Sequence, residues 1–134
     1  MKTALIDTDI LSAFLRGEEV VIENADKYLE EFGRFNISII TYYEILNGLL
    51  YKDANKQLKS FRAFIKLNKI CPLTILSVKI SAKIQADLRK TGAEIGHTDT
   101  LIAGVAIANK MELITNNTRH FSRIKGLKVA NWKK

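Results

Sequence analysis

The sequence predicts an α/β protein, a mostly parallel sheet of four to five strands flanked by helices. Three observations carry this. Short β-branched or apolar runs recur along the chain: "TALID" (3–7), "FNISII" (35–40), "KICPLTIL" (69–76), "MELIT" (111–115) and "LKVANW" (127–132). Between them lie longer segments whose apolar residues recur at helical spacing. Strands that alternate with helices pair in parallel, with helices covering both faces of the sheet.

The elements follow in order. Residues 3–7 read as a buried strand. A helix of about 9–15 follows, its stripe made by Ile10, Leu11, Phe14 and Leu15, and Gly17 breaks it. Residues 19–32 suit a second helix, with Val20, Ala25, Tyr28, Leu29 and Phe32 roughly on one side. Residues 35–40 form a strand, and "TYYEILNGLLYK" (41–52) is helical. In 54–67, Leu58, Phe61, Phe64 and Ile65 mark another helix. Residues 69–76 are a short strand or extended segment, and Pro72 favours the sheet edge. Ser77 caps a helix of about 78–90 that Gly92 ends. Residues 98–109 make a small-residue apolar helix, 111–115 a strand and 127–132 a final edge strand. No repeat or linker interrupts this order, so residues 1–134 are expected to form one domain.

Composition narrows the class. With 47% hydrophobic and 26% charged residues, the chain has the profile of a soluble globular protein. No apolar run approaches the roughly 20 residues of a membrane span, and the start has no secretory segment. The single Cys71 cannot form an internal disulfide, which suits a cytoplasmic location, and it reads as a small core residue. The net charge of +7 is uneven. Residues 1–67 are close to neutral, and the second half holds the excess. From Arg119 onward Arg119, Arg123, Lys125, Lys128, Lys133 and Lys134 meet no acid. That stretch suits a polyanion, or else is a solvated basic edge.

In a parallel sheet the ligand crevice lies beyond the carboxyl ends of the strands. Asp7 and Asp9 follow the first strand, Thr41 to Glu44 the second, and Asn116-Asn117 "MELIT", while Asp99 opens the 98–109 helix. Each has a local explanation. Asp9 or Thr8 caps a helix, with Asp9 favoured. Thr41-x-x-Glu44 matches a capping box, Asp99 favours a helix dipole, and Asn117 suits a turn. Asp7 is harder to explain locally, because a carboxylate ending a buried strand is costly unless paired or bound to a cation. Clustered acids repel unless a hard divalent ion sits among them.

Taken together, "LIDTDIL" (5–11), "ISIITYYEILNGL" (37–49) and "GAEIGHTDTLIAGVAIANKMELITNNTRHFSRIKGLKVANW" (92–132) resemble the PIN-domain ribonucleases, and closely the VapC toxins of prokaryotic toxin–antitoxin pairs. The resemblance spans nearly the whole chain and implies a PIN-like fold. It places the catalytic acids at Asp7, Glu44 and Asp99, and a fourth polar position at Asn117, where many relatives carry Asp. It implies Mg²⁺ or Mn²⁺ held by Asp7, Asp99 and Glu44. Asp9 and Thr8 are then supporting or capping residues. The implied reaction is hydrolysis of structured RNA such as tRNA, leaving a 5′-phosphate and a 3′-hydroxyl. The implied partners are RNA, a VapB-like antitoxin and a second copy of the chain in a homodimer, with no membrane.

Arg119, Arg123, Lys125 and Lys128 follow Asn117 directly and are expected to flank the cleft and hold RNA phosphates. His97 and His120 lack metal-ligand spacing; the resemblance puts His120 where some relatives carry an acid, and it reads as a surface residue before an RNA-phosphate contact. Tyr42, Tyr43 and Trp132 read as core or interface aromatics before base-stacking ones. Two rivals remain. A non-catalytic RNA- or partner-binding PIN domain has no evident need for the acids. A haloacid-dehalogenase-type phosphatase resembles "DTDIL", but Leu11 occupies the Thr/Val position of that motif.

Overall fold

The computed structural model describes residues 2–134. Five strands form one all-parallel sheet in the order β3-β2-β1-β4-β5. They are β1 (Ala4–Ile6), β2 (Asn36–Ser38), β3 (Lys69–Cys71), β4 (Glu112–Ile114) and β5 (Val129–Ala130). β1 is central, with Leu5 facing Asn36 of β2 on one side and Leu113 of β4 on the other. The helices are α1 (Thr8–Leu15), α2 (Glu19–Phe32), α3 (Ile39–Tyr51), α4 (Asn55–Lys66), α5 (Ile75–Lys90), α6 (His97–Ala108) and α7 (Thr118–Phe121). Among the described residues, no helix is long and apolar enough to cross a membrane.

Alternation along β1 sorts the core into two layers. Ala4 and Ile6 pack with Ile10, Val21, Tyr28 and Phe61. Leu5 points the other way, into Leu88, Ile102, Val105 and Phe121. Both faces of the strand are therefore dry, which explains its unbroken apolar run. In the first layer Trp132 stands 5.7 Å from the Tyr28 ring, and Tyr42 stacks on Phe61 at 5.9 Å. Cys71 is buried in the second layer. There α5 and α6 run so close that a Cβ on Gly104 would overlap the Ser81 hydroxyl and the Ser77 carbonyl.

Three helix starts differ from the sequence reading. Ile39 and Ile40 belong to α3, because the Ser38 hydroxyl accepts from the Thr41 amide and caps the helix three residues earlier. Thr41 is thus inside the helix, and no capping box involves Glu44. α5 begins at Ile75, where Thr74 and Ser77 form a reciprocal capping box, so residues 75 and 76 are not extended. Asp7, not Asp9, is the N-cap of α1. The single turn of α7 lies between β4 and β5, where no helix was predicted.

Candidate active site

The carboxyl ends of β1 and β4 set the site. Ile6 pairs with Ile114, so the next residues, Asp7 and Thr115, leave the sheet side by side. Both are buried. One Asp7 oxygen accepts from the Thr8 amide at 2.8 Å, and the other from the Thr115 hydroxyl at 2.8 Å. These bonds fix the carboxylate but do not remove its cost. Burial, then the nearby charge of Asp9, push the Asp7 carboxyl up to about 7.

Asp9 lies in the first turn of α1 and accepts from the Asn116 amide at 3.0 Å. Its other oxygen, Oδ1, is buried without a hydrogen-bond partner. Burial raises its pKa, against the pull of Lys133 from the C-terminal segment. Asp99 opens α6 behind the uncapped Gly96. Its carboxyl is held above the usual range by burial first, then by the charge of Glu44. Glu44 sits on α3 and accepts from the Thr8 hydroxyl at 2.6 Å. That bond uses the single Thr8 proton, so the 3.0 Å contact between Thr8 and Thr41 has Thr41 donating.

The structure therefore brings Asp7, Glu44 and Asp99 to one place from three distant segments, with Asp9 among them. Asn117 joins them at the start of α7, where its amide donates to Thr115 Oγ1 at 3.0 Å. Its side-chain nitrogen lies 2.9 Å from His120 Nδ1. His120 belongs to the site rather than to a remote surface, with its ring 3.9 Å from Asp99. The sequence reading also missed Thr115. The available signal was register, since "LID" and "LIT" leave neighbouring strands at the same level.

The basic residues do not gather as expected. Arg119 lies exposed on α7, next to His120. Arg123 donates to the Ala93 carbonyl at 3.3 Å, and with Lys125 it lines a groove against α5 and Ile107. Ile107 stands two turns along α6 from Asp99. Lys128 lies at the amino end of the sheet, where it lowers the pKa of Lys2. The strand direction is the reason: β5 runs parallel to β1, so the residue before it emerges opposite to Asp7.

An all-parallel sheet with β1 central and acids beyond its strand ends is the arrangement of a PIN-type fold, and the PIN domain family matches residues 4–127. The chain belongs to that family. Ribonuclease VapC1 of Rickettsia felis is 36% identical over 129 residues, spanning 93% of this chain and 92% of the relative. The tRNA(fMet)-specific endonuclease VapC of Shigella flexneri is 24% identical, spanning 96% of each. Among solved structures, DNA-bound VapBC from Salmonella typhimurium superposes with a TM-score of 0.88 at 26% identity, covering 98% of this chain and 99% of that one. Within the PIN family this chain stands with the VapC endoribonucleases.

Proposed function

We propose that the chain is a toxin endoribonuclease that depends on Mg²⁺ or Mn²⁺ and cuts structured RNA such as tRNA. The observation that carries the metal is the carboxylate cluster, with Asp7 buried at the strand end and raised to about 7. The donor set fits a hard divalent cation. Its charged groups offer only oxygen, and Asp9 Oδ1 is a buried acceptor with no donor. Among the described residues, no group of three or more acidic, His or Cys side chains is placed so that it could hold a metal ion as it stands. Mg²⁺ does not require one, since it keeps several waters and takes one or two carboxylates.

Asp7 and Asp99 would hold the ion, with Glu44 beside them and Asn117 at the edge of its water shell. The chemistry a bound Mg²⁺ or Mn²⁺ supplies is acidification of a water and neutralisation of phosphate charge. The protein's part is orientation. Thr115 and the Thr8 amide lock the Asp7 carboxylate, and the Thr8 hydroxyl locks Glu44. His120 stands beside Asp99, and its Nδ1 also meets the Asn117 side chain, so the ring holds the two together at the cleft edge.

The tRNA reading is supported by relatives in Shigella flexneri and Salmonella typhimurium named tRNA(fMet)-specific endonucleases. A VapB-like antitoxin is supported by neighbours that are VapBC complexes. Such a partner would lay a segment across the acids and insert an Arg, whose fork pairs with carboxylate. We place the activity in the cytoplasm and expect a homodimer, which sedimentation at micromolar concentration checks. The deciding experiment is RNA cleavage with Mg²⁺, Mn²⁺ or EDTA. Cleavage in both metals and none in EDTA is expected. Cleavage that survives EDTA removes the metal, and no cleavage in any condition favours a non-catalytic binding domain.

A further inference from the structure

A groove of about 580 Å³ opens from the acid site between α1, α3 and α4. Two helical stripes line it. Thr8, Ser12 and the C-cap Arg16 recur at four-residue spacing along α1, and Glu44, Gly48 and the C-cap Lys52 do so along α3. Both stripes begin at the Thr8–Glu44 hydrogen bond and end on a cation. Eight residues of helix span roughly 12 Å. The groove therefore runs from Glu44, at the edge of the acid site, to a basic end, where Lys56 of α4 joins Arg16 and Lys52.

We propose that this groove binds the single-stranded RNA next to the scissile phosphate. Lys52 and Lys56 would hold the phosphates, and a base would lie on the apolar floor of Ile45, Leu49 and Phe61. The inference rests on the endoribonuclease reading and names where its substrate lies. Charge complementarity favours RNA as the occupant. Arg16 is partly engaged, since it donates to Glu18 at 2.7 Å. Lys52 and Lys56 have no ion-pair partner among the described residues. Ser12, Gln57 and Ser60 line the same groove and can hydrogen-bond to base edges or sugars.

Gly48 is an independent pointer. Glycine inside a helix weakens it relative to alanine. Here neither a positive φ nor close packing requires one, since nothing lies within 4 Å of where its Cβ would stand. What the missing side chain leaves is open groove, one turn beyond Glu44. A side chain there would occupy the path of the strand without disturbing the fold.

The test compares Lys52→Gln/Lys56→Gln and Gly48→Leu with Arg123→Gln/Lys125→Gln, all in the full chain. The readouts are Tm, steady-state cleavage, and affinity for a short single-stranded RNA in EDTA at several salt concentrations. The groove lysine pair is expected to raise KM about tenfold at nearly constant kcat. It should also flatten the log–log salt slope of binding by about 1.4, at roughly 0.7 per lost phosphate contact. Gly48→Leu is expected to raise KM with Tm unchanged or higher, a combination that a merely structural glycine would not give. The Arg123/Lys125 pair should leave both readouts near wild type. Unchanged KM and slope in the groove variants overturn the proposal. So does a result in which they weaken only an antitoxin peptide, because the groove is then a protein-docking site. If wild type cleaves nothing in either metal, the nuclease reading fails by itself. The EDTA affinities still judge the groove: loss in the lysine pair supports it, and no loss overturns it.

Discussion

At the carboxyl lip of the sheet, burial raises the pKa values of Asp7, Asp9 and Asp99, and neighbouring carboxylates add to the rise at Asp7 and Asp99. One layer away, α5 and α6 meet so closely that Gly104 has no room for a Cβ. The first region keeps charges where they destabilise the fold. The second removes every atom that would hold two helices apart. The difference teaches how the parallel sheet divides labour: strand ends carry chemistry at a cost in stability, and the helix layer behind supplies the rigidity that tolerates it.

Asp7→Asn or Asp99→Asn should break this contrast most sharply. Either is expected to lower RNA cleavage by about 10³-fold, equivalent to the several kcal/mol a held charge contributes to such a reaction. The same variants should melt at higher temperature than wild type in EDTA, because they relieve repulsion at the lip. Parallel cleavage and melting assays check both halves, and wild-type rates from both variants would dismiss the site.

The next effect is pH dependence without metal. Asp7 is raised to about 7 in the folded state, against about 3.9 in an unfolded chain. The folded protein thus binds the extra proton, and this contribution is fully present below about pH 4. It is lost as pH rises towards 7, by up to about 4 kcal/mol. Chemical denaturation in EDTA from pH 4 to 8 should show the fall. Asp7→Asn should flatten it, and a slope equal to wild type would mean that Asp7 ionises normally.

Gly104→Ala probes the other region. The new methyl would press on the Ser77 carbonyl, which is backbone and cannot rotate away. Overpacking of this kind costs about 1–3 kcal/mol, less the helix propensity that alanine regains. The expected result is a lower Tm with cleavage per folded molecule retained, and a stability equal to wild type would show that α5 and α6 separate freely.

Thr8→Val should give the smallest change. It removes the donor that holds Glu44 at 2.6 Å. Loss of such an orienting partner typically costs about 10- to 100-fold in activity or metal affinity. We expect the low end, with kcat affected and the melting curve little moved. An unchanged kcat would return Glu44 to a structural role.

Much of this was legible in the sequence, for identifiable reasons. The apolar runs at 3–7 and 111–115 found β1 and β4, since strands covered on both faces leave unbroken apolar stretches. "FNISII" misled because a short apolar run does not separate strand from helix, and the deciding residue was Ser38 in its middle. Asp7, Glu44 and Asp99 were legible through their place after strands or at a helix start, and through the resemblance to VapC toxins. Thr115 was not, because it depends on which strands are neighbours, and His120 was legible only through the resemblance, its contact with Asp99 being a matter of how α7 sits against α6. Of the basic residues expected at the cleft, Lys128 was misplaced for the same reason: sequence nearness to Asn117 says nothing about strand direction.

The hydrogen bond from Thr115 to Asp7 joins residues 108 positions apart. During synthesis the first aspartate therefore emerges long before its partner. At about 5–20 residues per second, the wait is roughly 5–20 s. For most of that interval the central strand has at most β2 beside it and nothing on the other side, and Asp99 of α6 has not been made. An unfinished chain on the ribosome thus lacks part of the proposed site, and the order of the strands leaves that site incomplete until almost the whole chain is present.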